Sequence, residues 1–287
     1  MKPHRFGALT KVSSIGQLPS LFVVVSLLAC PRCARIACQS GNSKIVQLLL
    51  SVGADKNKLD AQGRSPLWSA CGARLETDNV NTSFGDHLEA VRLLLEASAH
   101  CDTPDETLGA FGVACQAGHF DVAHFLLSES ADHSQMSKRG ETALILAVKH
   151  GHLDLVRVLL EARADFDRPD INGKTPLWIA CCAGHAEIVR VLLDASCRLE
   201  ADRSGRTPLA VASEFGHVDI VRLLTRRRRE QDWKEEVSEA SPLMAAAREG
   251  HHAVVVALLE AGEDVNQVDR KRRSPLWMAC QSGRMTQ

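Results

Sequence analysis

Tyrosine is missing from this chain, and aromatic residues together make up only 4% of it. Conventional globular cores draw much of their buried area from large rings, so the scarcity points to thin packing of helices built from Leu, Val and Ala. Apolar residues still reach 45%, which is enough for a packed core. An excess of charge is missing too. Lys and Arg number 34 against 35 Asp and Glu, and a net charge of −1 argues for neither a nucleic-acid nor a membrane partner. The ten cysteines lack the clustering of a disulfide framework. Five of them (Cys38, Cys71, Cys115, Cys181 and Cys280) each follow an alanine in a recurring phrase, which predicts buried free thiols in a reducing compartment. Cys101, Cys197 and the adjacent Cys181 and Cys182 show no metal spacing. Cys30 and Cys33 form a lone C-x-x-C without a second ligand pair. No Ser-His-Asp order, phosphate loop or paired-carboxylate constellation stands out, so neither catalysis nor a metal or cofactor is expected.

What the chain does have is a period. Gly-His pairs recur at Gly118-His119, Gly151-His152, Gly184-His185, Gly216-His217 and Gly250-His251, in steps of 33, 33, 32 and 34 residues. Gly283 marks a further step, and Gly41-Asn42 holds the same place upstream. The fullest repeat starts at Asp170. Asn172-Gly173 signals a tight turn, because glycine accepts positive φ without a Cβ clash. Thr175 is an N-cap candidate with Pro176 at the first helical position. Gly184 ends that short helix. A second helix carries Ile188, Val189, Leu192 and Leu193 on one apolar stripe. Each repeat therefore reads as a hairpin-like turn followed by two antiparallel helices. The Gly-His histidines are expected to help cap the second helix and to pack between repeats.

This pattern resembles the ankyrin repeat, whose phrase is Thr-Pro-Leu-His-x-Ala and whose period is 33. The resemblance covers 33–287 and implies an all-α ankyrin-repeat solenoid. Trp68, Trp178 and Trp277 stand where the family phrase has His. In the family that residue ties neighbouring repeats together; an indole can pack there without reproducing every imidazole hydrogen bond.

Eight repeats are expected. The first, 33–59, is degenerate and lacks the turn. The second contains Ser65-Pro66-Leu67-Trp68, a polar insertion near 73–85 expected to bulge as a loop, and a second helix from Leu88 to Ala97. The third, 102–134, carries Gly109 and Gly112 where a first helix belongs, which predicts a soft spot unless neighbours compensate. The sixth runs into Arg226, Arg227, Arg228 and Arg229, read as a solvated loop or, alternatively, a nuclear-import signal. The eighth opens at Asp269 and lacks its second helix, as a truncated sequence or a short terminal cap would. Segment 1–32 falls outside the pattern. Its basic start and apolar 18–30, 13 residues and too short to span a bilayer, fit either an apolar cap or a signal peptide.

Apolar repeat positions are committed to stacking, so binding falls to the turn tips and first helices of the concave face. The candidates at the turns are Gln62, Arg64, Lys138, Arg139, Glu141, Ile171, Asn172, Lys174, Arg203, Ser204 and Arg206. Those at the ends of the first helices are Gln116, Lys149, His150, Glu214, Phe215, Arg248 and Glu249. Phe215 serves either as a binding hot spot or as filler beside the next repeat. The basic finger Arg270, Lys271, Arg272 and Arg273 sits on a later turn tip. The expected function is a scaffold or adaptor holding a protein or peptide. No small-molecule substrate, nucleic acid or membrane is expected as partner, and the chain is expected to be a cytoplasmic monomer. Two alternatives stay open: the targeting arm of a longer kinase or ubiquitin ligase, and a secreted effector.

Overall fold

In a computed structural model of the chain, residues 31–72, 84–100, 109–230 and 241–282 are described. They divide into two compact bodies, the first drawn from Met1–Ala70 with Thr77–His100 and the second from Cys71–Glu76 with Cys101–Gln287.

Each helix pair follows from its local chemistry. In the fifth repeat the Thr175 hydroxyl accepts the Trp178 N–H at 3.2 Å, and Pro176 opens the helix. Gly184 ends it at φ +80°, a left-handed conformation that a side chain resists. Thr142, Thr207 and Ser65 cap their own first helices in the same way. The second helix then buries Ile188, Val189, Leu192 and Leu193, the stripe expected from the sequence.

The first body holds α1 (Pro31–Gln39), α2 (Ser43–Ser51), α3 (Pro66–Cys71) and α4 (Phe84–Glu96). Helix α4 begins at Phe84, so the last two residues of the expected insertion are helical; 73–83 lie outside the described residues. The expectations placed on 1–30, including the choice between cap and signal peptide, also lie outside them.

The second body holds five helix pairs and one further helix. These are α5 (Ala110–Ala117) and α6 (Phe120–Ser128), α7 (Ala143–Lys149) and α8 (Leu153–Glu161), α9 (Pro176–Ala183) and α10 (Ala186–Asp194). Next come α11 (Pro208–Glu214) and α12 (Val218–Glu230), α13 (Pro242–Glu249) and α14 (His252–Glu260), and finally α15 (Pro275–Ser282). First helices pack in a row from α5 to α15, and second helices in a parallel row from α6 to α14. Gly109 is the N-cap of α5 rather than an interior residue, where glycine costs only a few tenths of a kcal/mol. Only Gly112 sits inside that helix, buried beside Phe111.

The arginine tract corrects a second expectation. It is no loop: α12 runs 13 residues, through Arg229, whereas α10 and α14 have nine. Arg227 donates to the Leu193 carbonyl at 3.1 Å, Arg229 to the Glu260 carbonyl at 2.8 Å, and Arg228 pairs with Glu263 at 2.6 Å. The tract thus supplies positive charge to the C-terminal ends of both neighbouring second helices, where carbonyls lack intrahelical partners.

Candidate functional site

Four of the described turns are organised by an acid, and that of the fourth repeat by a hydroxyl, Ser137 Oγ accepting the N–H groups of Arg139 and Glu141 at 3.2 Å. Asp170 Oδ1 accepts the N–H groups of Asn172 (2.8 Å) and Lys174 (2.9 Å). Asp202 Oδ1 does the same for Ser204 (2.9 Å) and Arg206 (3.0 Å), and its side chain also pairs with the Arg206 guanidinium at 3.2 Å. Burial works to raise the Asp202 carboxyl; the hydrogen bonds from Ser204 and Arg206 and the Arg206 charge outweigh it and hold it below its ordinary value. Asp60 with Arg64 and Asp269 with Arg273 repeat the arrangement at 2.7 and 2.6 Å.

In the second body the turns are also locked to one another. Ile171 N–H donates to the Arg139 carbonyl at 3.1 Å, and Arg203 N–H to the Asn172 carbonyl at 3.0 Å. Close approach demands glycine here: a Cβ on Gly173, whose φ is +79°, would lie 2.8 Å from the Arg203 nitrogen. Lys138, Arg139, Ile171, Asn172, Arg203 and Ser204 therefore form one rigid row of exposed tips.

The tryptophans do more than fill space. Trp178 is buried, and its indole N–H donates across the repeat boundary to the Arg206 carbonyl at 3.0 Å. Lys174 and Arg206 lie over its ring at 4.6 and 5.3 Å, and Arg64 and Arg273 stand likewise over Trp68 and Trp277. The indole therefore supplies an inter-repeat hydrogen bond of its own.

The Gly-His histidines divide the expected role. His119, His152, His185 and His251 stand at N-cap positions, but none caps its helix through the side chain. The rings of His152, His217 and His251 reach back instead. His152 bonds the Gln116 carbonyl, His217 the Cys182 carbonyl and His251 the Glu214 carbonyl, at 3.3, 3.3 and 2.9 Å. His87 does the same in the first body toward the Gln39 carbonyl, at 3.3 Å. Its role was missed because the insertion separates it from the Gly-His phrase. Pairing Glu89 with Glu187, 98 residues apart, would have set His87 opposite His185.

Most candidate charges at the first-helix ends are engaged within the chain. Lys149 pairs with Glu141 at 2.8 Å. Glu214 takes Arg248 at 3.0 Å and Arg206 at 3.7 Å, and Arg248 also meets Glu249 at 3.0 Å. In the first body Arg64 hydrogen-bonds Gln62. Such exposed pairs contribute about 0–1 kcal/mol each. The apolar candidates differ. Ile171 is 50% exposed and Phe215 51%. Phe215 fills no gap: it lies against His217 (ring centroids 6.3 Å apart), as His150 lies against His152 at 6.1 Å. Gln116, whose carbonyl meets His152, is exposed.

Among the described residues no group of His, Cys, Asp or Glu is placed to hold a metal ion. Cys38, Cys71, Cys115 and Cys181 are buried as expected, but Cys280 is exposed. Burial pushes the Cys38 and Cys115 thiols up to about 12, far from the thiolate that reactivity needs.

Locked turns, rows of stacked helix pairs and an exposed tip row define a helical-repeat array, a class that offers an extended surface. Ankyrin repeats in three copies match at 32–105, 80–170 and 163–234, and a single ankyrin repeat matches at 238–270. The chain belongs to the ankyrin-repeat family, and its fold is that of a protein-interaction domain. The crystal structure of the human ASB11 ankyrin repeat domain resembles it with a TM-score of 0.67, covering 80% of this chain and 98% of that one. Identity between the two is 23%, so the likeness concerns the fold. No curated protein matches the chain. Among the described residues no helix is long and apolar enough to cross a membrane.

Proposed function

We infer that the second body is a scaffold or adaptor module that holds an extended protein or peptide segment. The surface is the tip row Arg139, Ile171 and Arg203 together with the first-helix ends at Gln116, His150 and Phe215. One observation carries the reading. Ile171 and Phe215 are large apolar side chains, half exposed, on positions that stacking does not use. Their supports are rigid, because Ile171 is pinned through its own N–H and Phe215 rests on a histidine that is itself bonded to the repeat before it. Exposed apolar groups on a fixed frame are what a hot spot requires.

The charges at Lys149 and Arg206 already have intramolecular partners, so reversing them would disturb the fold's own pairs. The test is the double variant Ile171→Asp, Phe215→Asp in the full chain. Quantitative capture from cell extract should show a set of proteins retained by the parent and lost by the variant, with coincident circular-dichroism melts. Identical capture profiles would refute the assignment.

A further inference from the structure

The tip row also has a sign. Arg139 and Arg203 are exposed and have no carboxylate partner among the described residues. The acids of the same turns point elsewhere. Asp202 is buried and spends its oxygens on Ser204 and Arg206, and Asp170 is occupied by Asn172 and Lys174. Glu141 is taken by Lys149. The first and third of these three consecutive turns therefore present a cation outward, the middle one presents Ile171 and Asn172, and the carboxylates of all three are engaged within the chain, although the whole chain has a net charge of −1. Between the two arginines stands Ile171, held in place by its backbone bond to Arg139, while Arg203 is held by its bond to Asn172.

We propose that this row selects an acidic segment in extended conformation, one carrying an apolar residue between carboxylates. Arg139 and Arg203 face the carboxylates, and Ile171 covers the apolar residue. The charge arrangement favours this occupant over a basic or neutral one, because attraction at exposed arginines steers encounter and rejects like charge. Preorganisation adds to it. The tips are fixed before binding, so the partner alone loses backbone freedom. This inference rests on the reading of the second body as a binding surface and names the chemistry of its partner.

The experiment measures fluorescence anisotropy of labelled peptides with the full chain. The probes are Glu-Asp-Leu-Asp-Glu, its Ser-centred counterpart Glu-Asp-Ser-Asp-Glu, and the charge-reversed Lys-Arg-Leu-Arg-Lys. The acidic Leu peptide should bind about tenfold tighter than the basic one at low salt, and the gap should narrow as ionic strength rises past about 0.15 M. Arg139→Glu with Arg203→Glu should remove that preference. Ile171→Ser should erase the advantage of Leu over Ser while keeping the preference for acid. Equal binding of acidic and basic peptides overturns the proposal, and so does no binding of the acidic ones. If Phe215→Asp weakens binding while the arginine reversals do not, the surface stands and its acidic selectivity falls.

Discussion

At the scale of single residues, the second body depends on places where two backbones nearly touch. Gly173 is the sharpest case. Alanine there would meet both a left-handed φ of +79° and a nitrogen 2.8 Å away. The substitution Gly173→Ala should cost about 2 kcal/mol or more, above the roughly 1 kcal/mol of an unhindered left-handed alanine. Chemical denaturation would show it as a lower midpoint, and the amide of Arg203 should exchange faster. Asp202 offers a pH test with a definite sign. Its carboxyl is held below its ordinary value, so its contribution is full above that value and disappears as pH falls through the lowered one. Asp202→Asn should therefore melt below the parent near neutral pH. The two melts should converge only once the pH has fallen below the lowered value, where the parent carboxyl is protonated as well. A gap that persists in acid would mean that the charge is not what matters.

At the scale of elements, the helices were legible because each carries its own punctuation. Thr-Pro starts, glycine stops and four-residue apolar stripes all appear in the chain as written, and α9 and α10 follow them closely. The ends of the second helices were not legible. The second residue past six of them adopts positive φ, yet only Gly53 and Gly262 announce it; Ser98, Ser130, Arg163 and Ser196 occupy the same conformation with side chains. The N–H groups at and after these positions bond carbonyls of the final turn, such as Ser196 to Leu193 and Cys197 to Leu192, and that closure outweighs the local strain. Replacing Arg163 and Ser196 by glycine should relieve it, raising stability by about 0.5–1 kcal/mol each, readable as a higher denaturation midpoint at unchanged cooperativity. The arginine tract was illegible for a related reason. Its use depends on carbonyls more than thirty residues away at Leu193 and Glu260, which no local pattern reports. The binding candidates were half legible. Periodicity showed which positions stacking leaves over, but not that Lys149, Arg206, Glu214 and Arg248 would be drawn into pairs with residues of their own and adjacent repeats.

At the scale of the whole molecule, a repeat array holds together only through neighbours. Each boundary in the second body is therefore a link in series, and stability is a sum of repeat terms and boundary terms. The boundary between the fifth and sixth repeats combines the Trp178 indole bond to the Arg206 carbonyl, the His217 bond to the Cys182 carbonyl, the Arg227 bond to the Leu193 carbonyl and the turn bond from Arg203 to Asn172. Removing one link should weaken coupling more than it weakens either repeat. Trp178→Phe keeps a ring in the buried slot but deletes the donor; the Arg206 carbonyl keeps the Asp202 N–H, so the loss should be about 0.5–1.5 kcal/mol. Urea unfolding followed at two probes, one in the fourth repeat and one in the seventh, should coincide in the parent. In the variant the two curves should separate and the slope at the midpoint should fall, because the array now unfolds in two blocks. A simple shift of both curves together, with the slope unchanged, would show that the remaining three links suffice and that the tryptophan serves its own repeat alone.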